Sequence, residues 1–293
     1  MDVHRAQGSR GAGQVEQHPD STHTGRQRRN SAIVGTVKAA LRQNRLLFAY
    51  QPVVCAATGT VDYFECLLRI RDEAGNVLPG AGFITAVEHF GLIGLIDRFV
   101  LERAVEELCT DPVVRLGFNV SGLTACDRPW LRTLSSRLHD RPDLAGRMIV
   151  EITETAALDD IDETARFVDT LRDAGCRVAL DDFGAGHTSL RHLQSLAVDT
   201  VKIDGSFIRN LADSPENRVF LRHLLGLTKG FGLSTIAECV ENAADEALLR
   251  AEGIGYLQGY HIGAPTTERP WLQPPANGAA PVELPDFKRA AAG

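Results

Sequence analysis

The sequence predicts a single β/α barrel of eight strands that opens with an antiparallel hairpin. Apolar runs of strand length alternate with helical stretches along most of the chain, as in parallel βαβ units. Nearly every apolar run ends in a polar side chain, and parallel barrels collect their catalytic residues at these strand ends. The length of 293 residues fits one such barrel.

The chain opens with two apolar runs, LLFAYQPVVC and TVDYFECLLRI, on either side of a short turn that contains Gly59. Two such runs around a glycine turn predict an antiparallel hairpin. A helical stretch over 81–109, broken near Gly91, follows it.

Regular alternation occupies the rest of the barrel. Strands are expected near 114–120, 147–153, 176–181, 198–203, 233–238 and 254–260. Helices are expected near 127–140, 160–174, 187–195, 215–230 and 242–252. Gly175 and Gly253 stand where two of these helices should end. With the hairpin this makes eight strands, the number that closes a barrel.

Both ends of the chain differ from its middle in composition. Residues 1–36 are rich in Gly, Gln, Arg, His and Ser, and we expect a disordered tail there. Residues 37–272 form the expected folded domain, and the Pro- and Ala-rich residues 273–293 a flexible tail. No apolar segment resembles a secretory signal or reaches membrane-spanning length.

Charge and cysteine content narrow the class of protein. The net charge of −7 argues against general DNA binding, which needs a basic face. Six scattered cysteines without a CxxC pair predict buried reduced thiols and a cytoplasmic location.

The polar residues at the strand ends are mostly acidic. In chain order they are Glu65, Asn119, Glu151, Asp181, Asp182, Lys202, Glu238 and Gln258. Two carboxylates about 4 Å apart repel by roughly 4 kcal/mol at an effective dielectric of about 20. A cluster of five therefore needs either bound cations or protons on some of its members.

The oxygen-rich ligands in this set favour Mg²⁺, Mn²⁺ or Ca²⁺ over Zn²⁺ or copper. Five carboxylates exceed the usual requirement of one Mg²⁺, so two ions with a shared carboxylate are expected. Such a pair suits phosphoester hydrolysis. Lys202 interrupts an apolar run, so it is not expected to be a surface lysine. Its ammonium group fits the role of a positive charge near the metal-bound water and the phosphate.

Each residue also has a plainer explanation when it is taken alone. Glu65 or Glu151 could be an ordinary residue at a strand end, Asn119 a turn residue, and Lys202 part of a buried ion pair. The DDFG stretch occurs in kinases too, but neither a glycine-rich phosphate loop nor an HRD-type loop accompanies it. Their joint occurrence is what indicates a site.

An ordered set of motifs resembles the EAL-domain cyclic-di-GMP phosphodiesterases. The motifs are YQPVV, ECLLR, FNVS, VEITE, DDFGAGHTSL, VKIDGSF, AECVE and QGYHIGAP. The resemblance covers residues 37–272 and implies a modified TIM-type (β/α)8 barrel with an antiparallel first strand. It also implies hydrolysis of cyclic di-GMP to pGpG with two Mg²⁺ or Mn²⁺ ions, and inhibition by Ca²⁺.

The resemblance further implies a role for each matching position. The ligands of the first metal would be Glu65, Asn119, Glu151 and Asp181. The second metal and the attacking water would lie near Asp181, Asp182 and Glu238, and the catalytic residues would be Lys202 and Glu238. The substrate pocket would be formed by Gln51, Arg69, Glu241 and Gln258. Glu154 would brace the loop after DDFG, a loop that the family uses in metal binding and dimer signalling.

The sequence departs from the family pattern at a few positions. Cys66 replaces the alanine of the EAL triplet and should cost little, because it points away from the face that carries Glu65. Cys239 replaces a usual glycine. It could strain a strand end that favours glycine, or pack as a small apolar group, which is the favoured interpretation; a redox-sensing thiol has little support. His187 and Thr188 replace a tyrosine and a serine in the loop after DDFG. Ala264 stands where a basic residue is usual, which should weaken substrate affinity.

These observations favour an active cyclic-di-GMP phosphodiesterase. The alternatives are a receptor that binds cyclic di-GMP without turnover, and an interaction scaffold that binds no nucleotide. A homodimer is expected, and a regulatory protein partner would fit a chain with no recognisable sensor domain.

Overall fold

A computed structural model describes residues 20–185 and 190–273. The strands are β1 Leu46–Cys55, β2 Val61–Arg71, β3 Val77–Pro79, β4 Leu116–Val120, β5 Met148–Thr153, β6 Arg177–Phe183, β7 Thr200–Ile203, β8 Ser234–Ala237 and β9 Tyr256–Leu257. The helices are α1 Asp20–Arg42, α2 Ile84–His89, α3 Ile93–Leu108, α4 Arg128–Asp140, α5 Glu154–Asp159, α6 Ile161–Asp173, α7 Leu190–Ser195, α8 Gly205–Ile208, α9 Pro215–Gly230 and α10 Ala243–Glu252.

Eight of these strands close into a barrel in the order β1-β9-β8-β7-β6-β5-β4-β2, with β1 paired to β2. Strand β1 runs antiparallel to both of its neighbours, whereas every pair from β2 through β4 to β9 is parallel. The predicted fold class and the opening hairpin are confirmed.

Strand β3 was not expected from the sequence. Its three residues pair antiparallel with the end of β2, outside the closed barrel. Its sequence, Val77-Leu78-Pro79, is apolar but only three residues long and ends in proline, so it is too short to show a strand pattern, and all three residues are exposed.

The helix α1 differs from the expectation of a disordered tail as far as residue 36. Val34, Val37 and Ala40 are buried and recur at helical spacing, so this part of α1 packs on the domain. The polar composition before them conceals the start of the helix. Residues 1–19 and 274–293 lie outside the described residues.

The main hydrophobic core lies between the barrel and its helices. Trp130 of α4 and Phe118 of β4 are fully buried there, and Cys66 belongs to the same core, on the far side of β2 from the barrel interior. Gly175 and Gly253 end α6 and α10 at φ +92° and +85°, as the sequence predicted. Within the described part, no helix is both long and apolar enough to cross a membrane.

The described cysteines only partly match the expectation of buried thiols. Cys66 and Cys176 are buried, Cys55 and Cys239 are partly buried, and Cys109 is exposed; all five are free thiols.

A C-terminal strap, residues 266–273, crosses the outside of the β1–β2 hairpin. The backbones of Thr266 and Tyr50 exchange two hydrogen bonds of 2.7 and 3.1 Å. The Trp271 ring lies 4.7 Å from the Tyr50 ring and 5.4 Å from the Phe64 ring, measured between centroids. Arg269 pairs with the buried Glu107 of α3. The strap thus covers strand positions next to Gln51 and Glu65.

Candidate active site

Two layers of side chains fill the barrel interior, one apolar and one polar. Apolar packing joins Val53, Tyr63, Ile149, Ala179, Ile236 and Tyr256. Side chains two residues apart on a strand share a face. The polar layer lies two residues further along each strand, and two residues earlier on the antiparallel β1. It contains Gln51, Glu65, Asn119, Glu151, Asp181, Lys202, Glu238 and Gln258.

Lys202 of β7 lies at the centre of the polar layer and is fully buried. Its Nζ lies 3.2 Å from Glu65 Oε2, 2.7 Å from Glu151 Oε2, 3.1 Å from Asp181 Oδ1 and 2.9 Å from Glu238 Oε1. One ammonium group therefore contacts four carboxylates from four other strands or strand ends. The sequence-predicted strand-end residues do converge in space.

Amides complete the surroundings of Glu65. Asn119 Nδ2 donates to Glu65 Oε1 at 2.8 Å, and Gln258 Nε2 donates to Glu65 Oε2 at 2.6 Å. Gln258 Nε2 also lies 3.2 Å from Gln51 Oε1, and Gln51 Nε2 donates to the carbonyl of Gly263 at 3.2 Å. Among the described residues, the buried Gln258 Oε1 has no hydrogen-bond partner.

Tyr63 supports the cluster from the apolar layer, and sequence reasoning missed it. Its hydroxyl donates to Glu151 Oε1 at 2.9 Å. Gly117 of β4 makes room for this contact, since a Cβ there would lie 2.4 Å from Tyr63 Cε2 and 2.5 Å from Glu151 Oε1. The signal was available, because Tyr63 precedes Glu65 by two residues and must share its face of β2.

Asp181 and Asp182 are adjacent, yet both carboxylates face the site. The pairing of β6 with β7 is irregular between Leu180 and Phe183, and Asp182 has a φ of +56°. This left-handed turn brings Asp182 to the barrel mouth, where its backbone N–H donates to Asp181 Oδ1 at 3.0 Å.

The carboxylates fall into two groups that could each hold a metal ion. One consists of Glu65, Glu151 and Asp181, and the other of Asp181, Asp182 and Glu238. Within each group, oxygen atoms from all three side chains lie within 4.8 Å of one another. Asp181 belongs to both groups, as a ligand shared between two ions would.

Crowding and burial shift the protonation of the cluster. Burial first, and Glu65 second, raise the pKa of Glu151 to about 8. Burial and then Asp181 raise the pKa of Asp182 to about 6. Burial likewise raises the pKa of Glu238 well above its ordinary value. Without a metal, burial and crowding therefore favour the protonated forms of these three carboxyl groups.

Lys202 and Glu65 are held in their charged forms. Burial alone would lower the pKa of Lys202, but the surrounding carboxylates raise it well above the ordinary lysine value. Burial alone would raise the pKa of Glu65, but Lys202 and the amide hydrogen bonds lower it below the ordinary value.

Glu154, at the start of α5, accepts a hydrogen bond of 2.7 Å from the backbone N–H of Gly184. Gly184 has a φ of +98° and packs against Phe207, where an added Cβ would lie 2.9 Å from the ring. Glu154 therefore contacts Gly184, at the start of the loop after DDFG. His187 and Thr188 of that loop lie outside the described residues.

Two residues predicted for the substrate pocket contact other partners. Arg69 donates to the carbonyl of Leu68 at 3.0 Å. Glu241 is exposed, and its Oε1 lies 3.2 Å from Arg209 Nε. Neither side chain is among the ion-pair partners of Lys202 in the buried cluster.

Comparison with known proteins identifies relatives of the whole barrel. The sequence pattern of the EAL domain matches residues 35–265. Cyclic di-GMP phosphodiesterase PdeB of Shewanella oneidensis is 34% identical over 236 residues, which cover 78% of this chain and 27% of PdeB.

Two solved structures share the fold over 80% of this chain and 97% of their own. The PaMucR phosphodiesterase in complex with cyclic di-GMP has a TM-score of 0.75 and 27% identity. The FimX EAL domain of Pseudomonas aeruginosa bound to cyclic di-GMP has a TM-score of 0.76 and 26% identity. The chain spans 27–32% of the length of four curated relatives that match it.

Proposed function

Because this chain belongs to the EAL-domain family, we propose that it is a metal-dependent phosphodiesterase that hydrolyses cyclic di-GMP to linear pGpG. The observation that carries the proposal is the contact of Lys202 with four carboxylates inside the barrel. So dense a cluster of carboxylates is costly unless cations bind to it. Bound divalent cations suit the hydrolysis of a phosphodiester bond such as those in cyclic di-GMP.

The residues present fit two hard divalent cations. Every candidate ligand offers oxygen, as Mg²⁺ and Mn²⁺ prefer. The buried Gln258 Oε1, unpartnered among the described residues, adds a further acceptor beside Glu65. The first ion would be held by Glu65, Asn119, Glu151 and Asp181, and the second by Asp181, Asp182 and Glu238. When bound, the ions would offset the negative charge and acidify a water molecule.

Glu238 is the proposed general base. Its side chain keeps 15% exposure, whereas that of Glu151 has none, so a water molecule from the mouth can reach Glu238. Burial raises its pKa in the metal-free protein. As a carboxylate beside the ions, it would accept a proton from the attacking water. Lys202 stays charged and is proposed to stabilise the developing negative charge on the phosphate.

The substrate pocket is proposed to extend from the cluster to the rim. Gln51 and Gln258 lie in the polar layer beside Glu65. Arg69 follows Glu65 by four residues on β2, so it shares the same strand face nearer the mouth, where a guanidinium suits a phosphate. Glu241 is proposed as a further substrate contact, and Glu154 as the brace of the loop after DDFG.

The test is incubation of the purified protein with cyclic di-GMP in Mn²⁺, Mg²⁺, Ca²⁺ or EDTA, with products resolved by chromatography. We expect pGpG in Mn²⁺ and Mg²⁺, and none in Ca²⁺ or EDTA. Asp181→Asn should abolish turnover. Asp169→Asn, at an exposed aspartate of α6, is the matched control and should leave turnover unchanged. Metal-dependent turnover by Asp181→Asn would contradict the assigned role.

A receptor for cyclic di-GMP is the second candidate function. The observation that favours it is Ala264, which stands beside Gly263 at the site rim where the family usually has a cation. Calorimetry would separate the two functions. Saturable binding of cyclic di-GMP to folded protein without any product in Mn²⁺ or Mg²⁺ would establish the receptor.

A further inference from the structure

The end of β8 turns sharply at Cys239, directly after Glu238. Cys239 has a φ of +53°, a backbone conformation in which glycine is usual. The backbone N–H of Glu238 donates to the carbonyl of Ile203 on β7, and the N–H of Val240 donates to the carbonyl of Gln258 after β9. Cys239 thus lies between a residue whose backbone N–H bonds to β7 and a residue whose backbone N–H bonds to the end of β9.

A glycine at the start of α8, which follows the neighbouring strand β7, lies against the Cys239 side chain. Gly205 begins α8, three residues after Lys202, and is buried. A Cβ built on Gly205 would lie 2.5 Å from Cys239 Sγ and 2.7 Å from Cys239 Cβ. Such distances are far inside van der Waals contact, so Cys239 occupies the space that any other residue at 205 would need.

Arg209, directly after α8, forms a hydrogen bond to the same thiol. Its Nη2 donates to Cys239 Sγ at 3.0 Å, and its Nε donates to Glu241 Oε1 at 3.2 Å. One guanidinium therefore bridges the first and third residues of the segment that follows Glu238.

We propose that Gly205, Arg209 and Cys239 form a thiol latch between the ends of β7 and β8, and that Cys239 and Arg209 are positioning residues for Glu238. The proposal rests on the proposed function, because Glu238 is its base. The latch holds the turn that follows Glu238, so it fixes the direction from which this carboxylate approaches Lys202. Misplacement of a reacting group by about 1 Å can cost on the order of a hundredfold in rate.

A double-mutant cycle tests the latch. Gly205→Ala alone should lower kcat by about tenfold to a hundredfold with little change in KM, and should lower Tm. In the Cys239→Gly background, the same Gly205→Ala change should cost less than about threefold, because the clash is gone. Gly226→Ala is the matched control, since a Cβ at this helical glycine of α9 meets no atom within 4 Å.

Arg209→Ala provides a second arm should Gly205→Ala fail to fold. It should lower kcat in the native background and lower it much less in the Cys239→Gly background, where only the ion pair of Arg209 with Glu241 remains to be lost. Tm and Ca²⁺ binding by calorimetry are measured for every variant, so the coupling remains measurable even if the protein turns over no nucleotide. Additive effects in the cycle, or a fall in Tm without a change in kcat of an active enzyme, would overturn the proposal.

Discussion

Gly117 is the residue whose substitution most directly tests the layered interior. In Gly117→Ala the new methyl would lie 2.4 Å from Tyr63 Cε2 and 2.5 Å from Glu151 Oε1. Both neighbours are buried and linked by a hydrogen bond, so a shift of either side chain strains that bond. Overpacking of this kind costs about 1–3 kcal/mol. At roughly 2–4 °C per kcal/mol for a domain of this size, Tm should fall by about 2–12 °C.

Urea and thermal unfolding followed by circular dichroism, in EDTA, would measure this effect. Gly226→Ala is the control, because its Cβ meets open space within a helix. It should stabilise the protein by about 0.4–1 kcal/mol. Opposite signs for two identical substitutions would locate the cost in the contact with Tyr63 and Glu151. An unchanged free energy of unfolding in Gly117→Ala would refute the close packing of the two layers.

Three further perturbations probe the charges. Lys202→Met should destabilise the metal-free protein by about 3–5 kcal/mol, because four carboxyl groups lose their cationic partner. In urea unfolding, Mn²⁺ should restore part of the lost free energy of unfolding. An equal loss of stability in EDTA and in Mn²⁺ would contradict the ion assignment. Tyr63→Phe should cost about 1–3 kcal/mol in the same assay, since Glu151 loses a buried donor; a neutral result would argue against that bond. Burial raises the pKa of Asp97 from 3.8 to about 6. The folded protein therefore keeps a proton that the unfolded chain releases, and stability should fall from about pH 4 to pH 6 relative to Asp97→Asn. Parallel stability profiles of the two proteins would contradict it.

The barrel could be predicted because its strands carry two signals at once, an apolar run and a polar end. Glu65 and Lys202 each interrupt apolar stretches, and only a closed sheet brings such distant residues together. Strand β3 was missed because its apolar run is only three residues long and ends in proline, and the start of α1 was missed because its sequence is polar.

The site was less predictable where backbone conformation decides it. Strand alternation places Asp181 and Asp182 on opposite faces, and only the left-handed turn at Asp182 brings both carboxylates to the site. The sequence does not display a positive φ at a non-glycine residue. Tyr63 was missed because a tyrosine in an apolar run resembles ordinary core.

The alternation of the two interior layers also bears on how the barrel assembles. A slip of one residue in any strand would exchange its inner and outer faces. For β5, Glu151 would then enter the hydrophobic core between the barrel and its helices, away from Lys202, where a carboxyl group without partners is disfavoured. Each charged residue of the site therefore penalises a one-residue slip of its own strand, so the residues that build the site also stabilise the correct register of the barrel.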